Sequence, residues 1–278
     1  MKLIHYTKKS LCCALLFSTF LNCHQKKCIE INRNGVVHKF VDFERTTGNF
    51  ADYFVKNMFS TWENETFEAF EQVKDPQGIA LDLGAWIGAT TIWLSKNFHH
   101  VVAVDADKLS LHCLQENLKA SECANVSICD KPVSNVLKKV TFGPRWGGLN
   151  ESTSCIKNDN TNPTPNDASY EITTITLDEL INNYVYTQQE LKPYKITFIK
   201  CDIEGGEEDI IEDILNFCRH NSCKAHISFH ITWWKTKKIE QFKDLFNLFK
   251  TNHSQTNIIE FLEKNPFESI LFEPIEKK

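Results

Sequence analysis

The sequence predicts a doubly wound α/β fold, in which a mostly parallel sheet carries helices on both faces. Short apolar runs alternate with helical stretches between residues 79 and 129, and strands separated by helices of that length are typical of parallel β-α-β crossovers. A second indication is the pair Gly84 and Gly88, placed where the first apolar run passes into a helix. The 278 residues are 42% hydrophobic and 24% charged, which is enough apolar material for one large core.

The elements are predicted from the apolar periodicity along the chain. An extended segment at 36–43 and a helical region at 50–73, interrupted near Ser60, come before the sheet. Thr176 and Glu179 form a capping-box pattern that opens a helix. The predicted strands of the sheet are 79–83, 101–104, 126–129, 196–201 and 225–231.

Three further segments complete the prediction. Residues 143–170, rich in Pro, Asn, Ser and Asp, are predicted as a long loop, either functional or disordered. Residues 239–249 are predicted as one amphipathic helix. Residues 258–262 and 269–272 are predicted as a final pair of strands.

Charge and cysteine spacing exclude some classes of site. The net charge of −5 leaves no basic footprint, so nucleic acid is not predicted as a partner. The eleven cysteines include no C-x-x-C pair, and a structural zinc site is therefore not expected. The sequence predicts no metal ligands.

The turn at 84–88 has the features of a nucleotide-type cofactor site. Glycine is scarce, with ten in the chain, yet Gly84 and Gly88 lie where a backbone must turn tightly and approach a ligand. Asp105 ends the next predicted strand, about 20 residues on, where a carboxylate can accept hydrogen bonds from both hydroxyls of a ribose. Turn and packing glycines, and a solvated strand-end acid, are the alternative interpretations.

Two residues discriminate between cofactors. A glycine at the position of Trp86 lets a pyrophosphate approach the backbone in dinucleotide-binding folds, and the indole would block that approach. Asp82 would repel a pyrophosphate but suits the cationic methionine end of S-adenosylmethionine, directly or through water; helix capping is its alternative role. We therefore predict S-adenosylmethionine as the cofactor. The predicted cofactor-binding residues are Asp82, Gly84, Ala85, Trp86, Gly88, Asp105 and Asp130, the last as an acceptor for the adenine amino group.

Candidate catalytic residues lie at the carboxyl end of strand 196–201. Lys200, Asp202 and Glu204 alternate there, so an extended backbone would direct all three toward the ligand crevice. Methyl transfer requires an acceptor oxygen held in line and relieved of its proton, which Asp202, Glu204 or His230 can accept. A structural Lys200–Asp202 ion pair and helix capping by Glu204 are the alternatives.

Three segments together resemble the FkbM family of methyltransferases. They are residues 82–88 (DLGAWIG), 174–180 (TITLDEL) and 198–207 (FIKCDIEGGE), within a similarity that extends over residues 62–272. Residues 62–67 (WENETF) are similar to a segment found upstream of the glycine turn in some members. Two positions differ from the family pattern: Trp86 stands where Asn is usual, and Asp105-Ala106-Asp107 replaces Glu-Pro-x.

The resemblance implies a class I, Rossmann-like methyltransferase that O-methylates a hydroxyl of a sugar, glycolipid or polyketide-like acceptor. A non-catalytic S-adenosylmethionine-binding module is the alternative, and a nicotinamide-dependent oxidoreductase is disfavoured by Trp86. Trp233 and Trp234 are expected either to line the acceptor pocket, since aromatic faces suit sugar rings, or to pack in the core. The oligomeric state is not predicted.

The N-terminus resembles a signal peptide. Lys2, Lys8 and Lys9 precede an apolar run at 11–21 that is too short to span a bilayer comfortably. This predicts export or membrane association through the leader, whereas the cytoplasmic supply of the cofactor favours a cytoplasmic location; a buried N-terminal helix is the alternative. We divide the chain into a leader (1–23), an N-terminal extension (24–75) and the methyltransferase domain (76–278).

Overall fold

The computed structural model describes residues 27–42, 49–145, 153–157, 169–236, 238–253 and 257–275, with the backbone alone for 49–52. The strands are β1 (Cys28–Arg33), β2 (Val36–Val41), β3 (Asp75–Leu83), β4 (Phe98–Val104), β5 (Val126–Cys129), β6 (Lys139–Pro144), β7 (Ser154–Ile156), β8 (Tyr170–Thr173), β9 (Lys195–Cys201), β10 (Lys224–Ser228), β11 (Phe249–Thr251) and β12 (Ser269–Pro274). The α-helices are α1 (Asn49–Asn57), α2 (Asn64–Glu71), α3 (Ala89–Asn97), α4 (Lys108–Ala120), α5 (Leu177–Ile181), α6 (Glu207–Asn221), α7 (Lys243–Phe246) and α8 (Ile258–Lys264). The predicted leader lies outside the described residues.

A seven-stranded sheet forms the centre of the fold. Its strand order is β11-β12-β10-β9-β3-β4-β5. The strands from β10 to β5 are parallel, and β12 runs antiparallel to both β10 and β11. After β3 the chain builds outward through β4 and β5, and it later returns to place β9 on the other side of β3. In such sheets the ligand crevice lies at this change of direction, outside the carboxyl ends of the strands.

Alternating side chains of the sheet contribute to two hydrophobic cores. On β3, Ile79 and Leu81 face a core formed with α5, α6 and α8, whereas Ala80 faces a second core formed with α2, α3 and α4. On β4, Val102 and Ala103 divide between the two cores in the same way. Helices therefore cover both faces, and the predicted doubly wound α/β fold is confirmed.

The β1–β2 hairpin of the predicted N-terminal extension packs against α3 and α4. The main-chain N–H of Val41 donates to Oδ1 of Asn117 at 2.8 Å, and that of Lys39 donates to Oγ of Ser121 at 2.9 Å. The buried His38 contacts the carbonyl of Ala89 through Nε2 at 3.1 Å. These polar contacts fix the hairpin on the outer face of the second core.

Three predicted segments differ from the structure. Residues 143–170 are not a continuous loop, because β7 and the ends of β6 and β8 form a small antiparallel sheet there; residues 146–152 and 158–168 are outside the described part. The predicted helix 239–249 is instead a 3₁₀ turn at Ile239–Phe242, the one-turn α7 and the start of β11. Residues 258–262 are not a strand but the first part of α8, because Oδ1 of Asn257 caps that helix at the N–H of Glu260.

Within the part of the chain that the structure describes, no helix has the length and apolar character needed to span a bilayer.

Candidate active site

The carboxyl ends of β3, β4, β9 and β10 surround a cavity of about 280 Å³. Most of the residues predicted from the sequence line it: Gly84, Ala85, Trp86, Asp105, Lys200, Asp202, Glu204 and His230. Apolar side chains from outside the predicted set complete the wall, among them Phe54, Met58, Trp62, Phe142 and Phe267. The cavity thus lies where the sheet topology places a ligand crevice.

The glycine turn after β3 is tied to the neighbouring strand end. Gly84 adopts φ +81° and Trp86 φ +47°. The main-chain N–H groups of Gly84 and Ala85 both donate to the carbonyl of Val104 at 2.9 Å. The N–H of Trp86 donates to Oδ2 of Asp105 at 2.7 Å. The turn and the acid of β4 therefore form one unit.

Asp105 is held by main-chain donors at the edge of the cavity. Its Oδ1 accepts from the N–H of Asp107 at 2.8 Å, and its Oδ2 accepts from Trp86. Each carboxylate oxygen has a second lone pair, so the group can still accept from a diol. Burial raises the pKa of Asp105 to about 6 against the opposing effect of these hydrogen bonds. Asp107 has a separate structural role as the N-cap of α4.

Asp82 lies beneath the cavity rather than in its wall. The side chain is fully buried, and its Oδ2 accepts from the hydroxyls of Thr90 at 2.9 Å and Thr91 at 2.6 Å. Its Oδ1 lies 3.3 Å from Nζ of Lys200. Asp82 therefore acts on a ligand through neighbours that line the cavity, Lys200 and Thr90, and a direct contact with the methionine end of the cofactor does not fit this position.

Lys200 is held in place from three sides. Its Nζ donates to the carbonyl of Gly84 at 2.6 Å and lies 3.9 Å from Oδ2 of Asp202, in addition to its pairing with Asp82. Burial lowers the pKa of Lys200, but the carboxylates of Asp82 and Asp202 outweigh that effect and raise it above its ordinary value. The ammonium therefore stays charged and connects the ends of β3 and β9.

Glu207, which was not among the predicted site residues, orients His230. The carboxylate is fully buried and accepts from the N–H groups of Ile203 and Gly205 at 2.9 Å and from Nε1 of Trp234 at 3.3 Å. It also contacts Nδ1 of His230 at 3.1 Å. Because an ionised carboxylate only accepts, Nδ1 carries the proton and Nε2 faces the cavity.

Asp202, Glu204 and His230 converge on the cavity wall. Nε2 of His230 lies 3.7 Å from Oδ1 of Asp202 and 3.6 Å from Oε2 of Glu204. Burial, followed by repulsion from Asp202, raises the pKa of Glu204 to about 8. Burial lowers the pKa of His230, but the carboxylates of Glu207, Asp202 and Glu204 outweigh it and raise that pKa to about 10.

The predicted extended backbone at 200–204 does not explain this convergence. Strand β9 ends at Cys201, and Glu204 adopts the left-handed conformation with φ +58°. The guanidinium of Arg145 donates to the carbonyl of Glu204 at 2.5 Å and packs over the ring of Trp233. A tight turn, rather than strand alternation, therefore brings Glu204 to the same wall as Lys200 and Asp202.

Glu63 is a further acid in the cavity wall that the sequence analysis did not select. It has φ +45° and precedes α2. Arg33 of the hairpin fixes this segment, since its guanidinium donates to the carbonyls of Phe59 and Trp62 and to Oδ1 of Asn64. Burial, followed by repulsion from Asp202, raises the pKa of Glu63 to about 7. Its left-handed backbone is the kind of outlier that marks functional sites; the family-like segment 62–67 includes Glu63, but that resemblance assigns the residue no role.

Besides Asp82, four residues considered for the site in the sequence analysis lie outside the cavity wall. Gly88 is the N-cap of α3, and a Cβ there would lie 2.9 Å from Cδ1 of Leu114, which indicates a packing role. Asp130 is exposed, while the three residues after it line the cavity. Trp233 stacks on the imidazole of His230, and Trp234 is buried in the core.

The family of the methyltransferase FkbM domain matches residues 45–265. That range contains β3, β9 and the cavity, and it covers well over half of the chain. The chain belongs to this family. It is an S-adenosylmethionine-dependent methyltransferase, as the resemblance of its three segments implied. A search among curated proteins finds no match.

Solved structures similar to this FkbM-domain protein include other methyltransferases. The methyltransferase FkbM from Methylobacillus flagellatus KT is 14% identical, with a TM-score of 0.43 over 80% of this chain and 52% of that one. An rRNA methylase from Streptococcus thermophilus is 11% identical, with a TM-score of 0.43 over 76% and 95% of the two chains. A 16S rRNA methyltransferase of T. thermophilus, in complex with AdoMet and guanosine, is 14% identical, with a TM-score of 0.44 over 90% and 50%.

The donor set of the cavity fits S-adenosylmethionine. Asp105 offers a carboxylate for the ribose hydroxyls, next to the main chain at Ala85 and Trp86. Acidic side chains outnumber basic ones in the cavity wall: the acids are Glu63, Asp105, Asp107, Asp202 and Glu204, and the bases are Lys131, Lys200 and His230. This balance favours a ligand with a sulfonium and an ammonium and disfavours a pyrophosphate.

Proposed function

We propose that this methyltransferase acts on a hydroxyl oxygen of a small or glycan acceptor, of the sugar, glycolipid or polyketide-like kind. The supporting observation is the convergence of two carboxyl groups, those of Asp202 and Glu204, with the imidazole of His230 on the wall of the cavity that also contains Asp105. An alcohol must lose its proton as it is methylated, whereas an apolar wall at this point would offer the proton no acceptor.

The chain's own residues hold the acceptor oxygen and take its proton. When bound, S-adenosylmethionine supplies a methyl carbon activated by its sulfonium and leaves as the thioether S-adenosylhomocysteine. Glu204 suits proton transfer because its pKa of about 8 lies near neutral pH. Asp202 and His230 position the hydroxyl beside it. Lys200 stays protonated and positions Asp202 and the glycine turn instead of accepting a proton.

Charge supports a small or glycan acceptor over a nucleic acid. The chain carries a net charge of −5, and the acids of the cavity wall would repel a phosphate backbone. Aromatic side chains at the cavity, including Trp62, Phe142 and Phe267, offer faces on which a sugar ring or an apolar chain can pack.

The acceptor class is tested with S-adenosylmethionine labelled in the methyl group. The full chain is incubated with separate small-molecule, glycolipid and RNA fractions, and labelled products are sorted into ethers, amines and methylated bases. We expect ethers, with a rate reduced by about 100-fold or more in Glu204→Gln and unchanged in Glu212→Gln, an exposed acid of α6. Label confined to amines or RNA would contradict the proposal, and cofactor binding without any transfer would favour the non-catalytic module.

A further inference from the structure

Two carboxylate oxygens in the active site are buried and accept no hydrogen bond within the described residues. They are Oδ1 of Asp202 and Oε2 of Glu204. Both face Nε2 of His230, at 3.7 and 3.6 Å, which is too long for a hydrogen bond. Buried carboxylate oxygens that lack a donor are costly. Their common direction suits a positive charge placed between them and the imidazole.

The imidazole is oriented as a metal ligand. Glu207 fixes Nδ1 of His230 at 3.1 Å and is itself held by two main-chain N–H groups and Trp234. Nε2 is thereby directed at the two carboxylates, and it offers a lone pair to a cation once its proton has been displaced. A carboxylate behind a histidine is the usual outer partner of a metal-bound imidazole, where it fixes the tautomer and raises ligand basicity.

The spacing of the three ligand atoms is close to that of a metal site. One atom each from Asp202, Glu204 and His230 lies within 4.8 Å of the others. A cation about 2.0–2.2 Å from each ligand would bring these atoms somewhat closer together, which small side-chain rotations can supply. One imidazole with two carboxylates, and no thiolate, matches the preferences of ions such as Mn²⁺ and Zn²⁺.

We propose that Asp202, Glu204 and His230 bind one divalent cation of the first transition row. Three protein ligands leave positions open toward the cavity, where the acceptor hydroxyl can bind. With the cation bound, Glu204 would act as a ligand and not as the base: the cation would stabilise the alkoxide, and the hydroxyl proton would leave to water through the cavity before the oxygen takes the methyl group. This role rests on the proposed function, whereas cation binding itself does not.

The charge balance of the site supports the proposal. When His230 binds a cation as a neutral imidazole, the remaining cation of this buried region is Lys200, and the surrounding acids are Glu63, Asp82, Asp202, Glu204 and Glu207. A divalent ion would offset that excess of acids. The prediction of no metal ligands rests on cysteine spacing. The three proposed ligands include no cysteine, and they come from a turn after β9 and from the end of β10.

The test is cation binding to the full chain, without acceptor. Protein freed of metal with EDTA is titrated with MnCl₂ while free Mn²⁺ is followed by electron paramagnetic resonance, with Zn²⁺ and Mg²⁺ as competitors. We expect one Mn²⁺ per chain and a pulsed-resonance signal from one imidazole nitrogen. Asp202→Asn, Glu204→Gln and His230→Gln should each weaken binding at least about tenfold, and Glu207→Gln about 10–100-fold. Glu212→Gln, the same chemical change at an exposed site on the same helix, should bind as the parent does.

Each outcome decides the proposal. Circular dichroism and S-adenosylhomocysteine titration establish that each variant is folded. Absence of Mn²⁺ and Zn²⁺ binding, or retention of affinity and of the nitrogen signal in His230→Gln, would overturn the cation site and favour an imidazolium paired with the carboxylates. Hydroxyl methylation that proceeds at the full rate in EDTA would overturn the catalytic role of the cation, but not its binding, and would leave the proposed function intact. Specific Mn²⁺ binding with label only on amines or RNA would uphold the site and reject hydroxyl methylation.

Discussion

A Cβ atom on Gly84 would lie 1.7 Å from the main-chain oxygen of Asp202. The N–H of Asp202 donates in turn to the carbonyl of Leu83 at 3.0 Å. The ends of β3 and β9 are therefore in direct backbone contact at the change of direction of the sheet. The glycine turn first allows the two strand ends to meet. That contact places the acids that follow β9 beside the turn.

Gly84→Ala should be much more destabilising than an alanine at another left-handed glycine. Gly35, in the β1–β2 turn, has φ +78° against +81° at Gly84, but a Cβ there meets nothing within 4 Å. Gly35→Ala should cost about 1–2 kcal/mol for backbone conformation alone. Gly84→Ala adds a clash with backbone and should cost more than about 4 kcal/mol. Urea unfolding of both variants measures the difference, and equal losses would contradict the close contact.

The buried Lys200–Asp82 pair should be strongly coupled. Lys200→Met leaves the fully buried carboxylate of Asp82 without its cation, which should cost about 3–5 kcal/mol of unfolding free energy. Adding Asp82→Asn should recover part of that loss. Lys264→Met, which breaks the exposed pair with Glu260 at 2.7 Å, should leave the unfolding free energy essentially unchanged, because solvent screens that pair. A double-mutant cycle by urea unfolding measures the coupling, and additive losses would show that the pair is not coupled.

S-adenosylhomocysteine binding should weaken as the pH falls through the pKa of Asp105, about 6. Above that pH the carboxylate is ionised and accepts from both ribose hydroxyls; below it, the protonated group loses an acceptor. We expect affinity to fall by up to about tenfold per pH unit below the pKa. The folding stability of the ligand-free protein depends on pH in the opposite direction to ligand affinity. Because the pKa of Asp105 is raised on folding, the stability that this group contributes is lost as the pH rises through about 6. Calorimetry across this range tests the dependence, and a similar slope in Asp105→Asn would assign it to another group.

Local signals in the sequence predicted local structure well. The predicted strand 126–129 matches β5. The predicted capping box is present, since the N–H of Glu179 donates to Oγ1 of Thr176 and the N–H of Thr176 donates to Oε2 of Glu179, both at 3.2 Å. Both features are marked by patterns of residues close in the chain, and such patterns can be recognised without knowledge of the tertiary contacts.

Short apolar runs predicted secondary structure less reliably. Residues 258–262, a short apolar run, are predicted as one strand of the final pair. In the structure Ile259 and Leu262, one helical turn apart, are the buried residues of α8, and Lys264 pairs with Glu260 across a further turn. An apolar run of this length fits both the 3.6-residue repeat of a helix and the 2-residue repeat of a strand. The N-terminal cap at Asn257 favours the helix.

The candidate site was only partly predictable. Asp105 and the acids after β9 follow from the rule that ligands lie at the carboxyl ends of parallel strands. Glu63 and Glu207 do not, because one depends on the hairpin residue Arg33 and the other reads in sequence as a first-turn helix acid. The convergence of Glu204 on His230 depends on the left-handed backbone conformation of Glu204, which a glutamate in the sequence does not predict.

The most direct test is a calorimetric titration of the full chain with S-adenosylmethionine, S-adenosylhomocysteine and NADH. We expect micromolar binding of both sulfur compounds and none of NADH. Asp105→Ala should weaken the former by about tenfold or more, and Asp244→Ala, an exposed acid on α7, should leave it unchanged. Binding of NADH, or binding of the sulfur compounds that is indifferent to Asp105→Ala, would contradict the assignment of this cavity as the methyl-donor site.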